Sequence, residues 1–291
     1  MKRPATTLPL ADHSSVGVTA GRIYRYISAS LVRYLAYPYI GGYIILALIF
    51  QWQTIVDALS PLLIAKVLLV TFLYATVMTV FLHRFFSHKA FYARNRVIQF
   101  IFCWIACAIG QKGALWWASI HRRHHASFVH GNTEDPHPAY SWWYCVIGCW
   151  SVGKETRVRD DKRIKDFLCY KELDLLDRHS YLPILVHYCS VFILLNPESA
   201  FFYVLVPAMV SAFGTAVFNH DFHDKKTNEP VDMNRLGYNS IFAFPLGENN
   251  HLDHHVHPKK IKRHRYDFGY VIIKLMEFSG LIYTQRRKAS D

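Results

Sequence analysis

The 291-residue chain carries a formal charge of +12 with its histidines neutral, and just over half of it is hydrophobic. A basic and apolar composition points to nucleic acid or a membrane surface, and the long apolar runs decide against nucleic acid and for membrane. Six cysteines without a CxxC pair argue against a thiolate zinc site.

Residues 1–33 read as a polar, basic N-terminal arm without the continuous apolar stretch of a cleavable signal peptide. Residues 34–55 form the first apolar run, long enough to span hydrocarbon. A short polar turn with Asp57 and Pro61 leads to the second run, 62–82, where Lys66 is placed to snorkel. These two runs predict a transmembrane hairpin. Residues 97–119 are apolar around Gly110-Gln111-Lys112-Gly113 and predict a helix in the membrane interface. The polar stretch 126–180 follows, then two more spans, a short one over 181–195 and another over 200–218. The last amphipathic stretch is Tyr270 to Ile282.

The links between runs one and two, and between three and four, carry no Lys or Arg. Positive charge then places the arm, 83–180 and 219–291 on the cytoplasmic side. The expected fold is an all-α integral membrane protein with four transmembrane helices and both termini cytoplasmic. Residues 34–291 form one domain, and a cytosolic helical cap (83–180 and 219–291) holds a histidine-rich dimetal site.

The histidines carry the chemistry. His121, His124 and His125 stand at i, i+3 and i+4, an arc of about 100° on a helix. Adjacent His124 and His125 diverge, far enough to reach two ions. His251, His254 and His255 repeat the spacing. His83 and His88 are at i, i+5, about 140° apart on a regular helix. Either the helix distorts or ends there, or the rings serve different metals. Asn219 and His223 lie at i, i+4 as the fourth run ends. Nine histidines give four to five ligands to each of two ions, and imidazole suits iron, zinc or copper. His187 reads as a buried, hydrogen-bonded group.

The order HxxxxH, HxxHH, NxxxH, HxxHH resembles the membrane-bound fatty-acyl desaturases of the stearoyl-CoA (Δ9) type. Asp135-Pro136-His137 after the second box and Gly247-Glu248 before the third match that family's surroundings. The resemblance implies two iron ions (Fe2+) held directly by the nine histidines and by Asn219 through a water. It implies a narrow kinked acyl tunnel, with Gln111, Trp117 and Thr215 at acyl-chain positions. Oxygen-dependent insertion of a cis double bond, at Δ9, would be the reaction, with O2 reduced to water. Glu248 is placed to orient an imidazole. No heme domain is visible, so electrons would come from a separate donor such as ferredoxin or cytochrome b5. The third box is preceded by Asn250 instead of an aromatic residue, and Ser119-Ile120 replaces the Arg-Asp of the acyl-CoA enzymes. The acyl carrier is therefore open between CoA, acyl carrier protein and a membrane lipid, with Arg122 and Lys154 as headgroup contacts. The expected location is the cell inner membrane of a bacterium or the endoplasmic reticulum of a eukaryote. Two rival readings are a histidine-box hydroxylase or alkane-type monooxygenase, and a non-enzymatic membrane metal-binding protein.

Overall fold

The computed structural model describes residues 56, 59–130, 159–224, 227, 229–232 and 243–284. The arm, the first run (34–55), Asp135-Pro136-His137 and Lys154 lie outside the described residues. What is described is mostly helical, as the patterning predicts.

Helix α1, Pro61–Val77, starts where Ser60 accepts from the Leu63 amide at 3.1 Å and Pro61 fills the first turn. It continues without a break into a π-helical stretch, Met78–Ser87. Together they make one of two helices long and apolar enough to cross a membrane. The other is Pro197–Asp221, built from a capped turn, a π-helical turn at Phe201–Leu205 and a final helix. These two helices pack side by side.

Helix α2, Arg96–Ala108, is capped by the Asn95 side chain on Ile98 N at 3.0 Å. The apolar stretch 97–119, predicted as one helix, forms two. It breaks where Gly110 and Lys112 take left-handed φ of 76° and 67°. A separate helix, α3, runs Ala114–His130. Its first turns, Ala114 to Ile120, are buried in the core. The start of α3 has an imported cap. Asp177 Oδ1 accepts from Leu115 N at 2.7 Å and Trp116 N at 2.9 Å. Gly113 lets the carboxylate approach, since a Cβ there would sit 2.0 Å from Asp177 Oδ1.

Asp177 itself comes from α4, Lys171–Arg178. Next is α5, Tyr181–Leu194, the predicted third span. Its 14 residues rise only about 21 Å, short of the roughly 30 Å of hydrocarbon. Among the described residues two helices, not four, meet the length and composition of a span. His187 on α5 meets the Tyr74 hydroxyl at 3.3 Å, which links α5 to α1.

The final helix of the Pro197–Asp221 rod is α6, Val206–Asp221. Helix α7, His251–Val256, carries the third histidine box, and α8, Phe268–Phe278, is capped by Asp267. A two-residue antiparallel pairing, Tyr92–Ala93 with Ile282–Tyr283, pins the segment after α8 beside the end of the first box. The core is filled by Leu82, Phe85, Phe86, Phe91, Leu115 and Phe167, all fully or nearly buried. It packs the π-helical stretch against α3, so the first two boxes share one rigid wall.

Candidate metal centre

The π-helix resolves the i, i+5 spacing of the first box. His88 N donates to His83 O at 3.2 Å, the hydrogen bond that defines a π turn. That bond stacks residues five apart, so both imidazoles leave the helix on one side, with ring centroids 5.0 Å apart. A regular α-helix would have splayed them.

The nine histidines converge into two groups able to hold a metal ion. One is His83, His88, His121, His125 and His254; the other is His124, His223, His251 and His255. Each HxxHH box divides between them in opposite senses. The second box gives its i, i+4 pair to the five-membered group and its i+3 residue to the other. The third box reverses this.

Geometry and protonation both fit a cation. In the four-histidine group the Nε2 atoms form a closed ring with sides of 3.0, 3.1, 3.2 and 3.3 Å. A square of that side holds its centre about 2.2 Å from each corner, near the roughly 2.0–2.1 Å of a metal–imidazole bond. In the five-histidine group, His83 and His125 each bring Nε2 to 2.9 Å from His254 Nε2, and His88 and His121 meet at 2.9 Å. Outward acceptors favour one tautomer in two of the rings. His223 Nδ1 donates to the Asn219 carbonyl at 2.8 Å, and His83 Nδ1 donates to Glu248 Oε2 at 3.0 Å. With the proton held on Nδ1, these two rings present an Nε2 lone pair inward. Lone pairs facing one another at such distances repel unless a cation lies between them. Burial pushes His88, His121, His125, His251, His254 and His255 below the usual imidazole range; neighbouring imidazoles push further in the same direction, and so does Arg263 for His88, His125 and His254. The rings are therefore neutral and ready to ligate.

Glu248 anchors the outer layer. It is almost fully buried, and it accepts from the Thr79 hydroxyl, from Arg263 Nη1 at 2.7 Å and from His83. Burial opposes its ionisation, but Arg263 and His83 outweigh that and hold the carboxyl well below the usual range. The Arg263 guanidinium, also buried, is pushed down to about 10 by burial, against the pull of Glu248. A second buried pair fixes this layer to the first box. Arg84 binds Asp267 through two hydrogen bonds of 2.9 Å and also donates to the carbonyls of Leu246 and Ile261. Gly247, at φ 73°, passes so close that a Cβ would lie 2.9 Å from Asp267.

Both groups open on one cavity. Its wall includes His83 and His121 of one group, His124 and His251 of the other, and the apolar side chains Ala75, Met78, Val210 and Phe218. One polar cluster interrupts it. Gln111 donates to Ser211 Oγ at 3.0 Å and accepts from Thr215 Oγ1 at 3.2 Å. Trp117 stacks on His121 at 5.0 Å and lines the same space.

The family model for fatty acid desaturases matches residues 58–287. This chain belongs to the fatty acid desaturase family. A search of curated proteins found no match. Membership makes the chain an oxidoreductase acting on fatty acids.

The remaining expected site residues of the desaturase divide. Trp117 and Thr215 line the cavity, Gln111 stands behind Thr215 and bonds to it, and Asn219 lines the cavity beside His251. Arg122 does not face an open headgroup site, which corrects the expectation from its place between the histidines. All five of its N–H donors are committed internally, to the carbonyls of Phe86, Ser87 and Arg163 and to both oxygens of Asp166. It clamps the end of the first box to α3. Arg84, Arg263, Asp267, Asp177 and Ser211 escaped the sequence reading. Arg84 stands inside the first box and Ser211 one turn before Thr215, so position gave a signal for those two. The other three act across long chain separations and leave no local signature.

Proposed function

We propose that this desaturase introduces a cis double bond, at Δ9, into a saturated acyl chain lying in the cavity, using O2 and an external electron donor. The observation that carries this is the shared cavity, lined by apolar side chains and by histidines from both groups. The nine histidines, with Asn219 as a water-mediated partner, would hold two iron ions, which would supply the oxidising power that unactivated methylenes require. The chain's own residues do the rest. Ala75, Met78, Val210 and Phe218 hold hydrocarbon and exclude water. Gln111, Ser211 and Thr215 satisfy one another's hydrogen bonds, so this polar spot presents little unmet demand to the chain passing it. Trp117 keeps His121 from turning, and Glu248 holds the proton of His83 on Nδ1 so that Nε2 stays free for the metal.

The reading includes four spans, with the first run (34–55) and α5 completing the set, and both termini cytoplasmic. The carrier is CoA, acyl carrier protein or a lipid, and the donor is a ferredoxin or cytochrome b5 drawn to the basic face. Expression in a host lacking its own desaturase, followed by mass spectrometry of double-bond adducts, tests the proposal. New monounsaturated chains are expected. Hydroxylated chains without new double bonds would replace it with the hydroxylase reading, and full activity in His124→Ala would defeat both.

A further inference from the structure

Helix α8 has a face that the metal centre does not use. Its inner side is committed: Ile273 and Met276 are buried in the core, and Gly269 lies against the Arg84 guanidinium. On the outer side Val271, Leu275 and Phe278 recur at i, i+4 and i+7 and are 47%, 58% and 93% exposed. A stripe of that spacing is the face an amphipathic helix buries.

Its position says against what. The Phe268 ring, in the first turn of α8, lies 5.3 Å from the ring of Phe72. Phe72 is well inside the apolar Pro61–Ser87 helix, and its neighbours Leu68, Leu69 and Leu73 are exposed. The uncovered stripe of α8 therefore starts at the level of the uncovered apolar surface of α1. Cations stand at its margins. Lys262 Nζ sits 5.4 Å over the Tyr270 ring, Lys274 lies within the stripe beside Glu277, and Arg94 donates to the Gly280 carbonyl at 3.2 Å.

We propose that α8 is a membrane-interface helix. Val271, Leu275 and Phe278 enter the acyl boundary of an anionic leaflet, and Lys262, Lys274 and Arg94 lie at the phosphate level. A second copy fits less well, because three side chains fall short of the roughly 1,000 Å² a stable interface needs. The inference rests on the reading of Pro61–Ser87 as a span. It gives α8 a mechanical role. Because Asp267 at the helix start holds Arg84 of the first box, seating α8 in the leaflet sets the height of the metal centre above the acyl layer.

The test uses the full chain in phosphatidylcholine–phosphatidylglycerol vesicles. A nitroxide is placed in turn on Leu275→Cys, Phe278→Cys, Leu69→Cys and Lys259→Cys, with Cys145, Cys149, Cys169 and Cys189 replaced by serine. All four labelled positions are exposed, so the core is untouched. Collisions with dissolved O2 and with a water-soluble nickel chelate report the surroundings of each label. O2 should dominate at 275, 278 and 69, and nickel at 259. Nickel dominance at 275 and 278 with O2 dominance at 69 overturns the role of α8 and leaves the span intact. Low access to both reagents at 275 and 278 means a protein covers the stripe and also overturns it. Nickel dominance at 69 defeats the span itself.

Discussion

Replacing Glu248 by glutamine keeps the shape of the outer layer and removes its charge. Three consequences follow from the contacts of this carboxylate. His83 loses the anion that holds its proton on Nδ1 at 3.0 Å. Arg263, paired with Glu248 at 2.7 Å and almost fully buried, loses the anion that offsets its charge. The four-histidine group loses nothing, since Glu248 touches none of its members. Removing such an orienting partner lowers metal affinity about 10- to 100-fold, or about 1.4–2.7 kcal/mol. Unbalancing the buried Arg263 costs about 3–5 kcal/mol more, now in fold stability. Glu248→Gln should therefore release one metal equivalent early and keep the second at the wild-type chelator concentration. Metal content per chain along a chelator series, with thermal unfolding of the metal-free protein alongside, measures both. A single release step unchanged from wild type would refute the assignment of Glu248 to His83. Two steps shifted equally would refute the separation of the two sites.

Acid should strip the protein of metal. The buried histidines have folded pKa values below the about 6.5 of a free imidazole, so below that pH the unfolded state binds more protons. Stability of the metal-free fold should thus hold above about pH 6.5 and fall as pH drops below it, and ligated metal should leave over the same range; a denaturation midpoint flat between pH 7 and 5 contradicts this. Arg122→Ala should lower the unfolding free energy by about 1–3 kcal/mol, because three carbonyls and Asp166 lose their donors, without changing which acyl carrier is accepted. A changed carrier preference at unaltered stability would restore Arg122 as a headgroup contact. Gly113→Ala should cost about 1–3 kcal/mol or more, since the new methyl collides with Asp177 and displaces the cap of α3; equal yield and melting temperature would show that the cap shifts freely.

The local periodicities were legible in the chain alone. Two HxxHH boxes, an HxxxxH and a histidine four residues after Asn219 state the ligand inventory, because i, i+3 and i+4 neighbours share a helix face whatever the fold. The break at Gly110–Gly113 and the amphipathic stretch ending near Ile282 are local as well. Hydropathy marks the third run as apolar but does not fix the length of its helix: Tyr181–Leu194 has 14 residues.

Tertiary structure decided the rest. That His83 and His88 share a face depends on a π-helix, which the buried packing of Phe85 and Phe86 accompanies and no residue spacing announces. The division of the histidines into five and four depends on how α3, α6 and α7 meet. Arg122 looked like a ligand-binding residue because it sits between ligands, and only the fold shows its five donors already taken. Arg263 and Asp267 follow the third box at a distance; Asp267 acts through Arg84, 183 positions earlier, and Arg263 through Glu248. Ligand identity was therefore written in sequence spacing, where helix geometry acts over a few residues. Ligand partition and the charges that tune it required the packing of segments far apart in the chain.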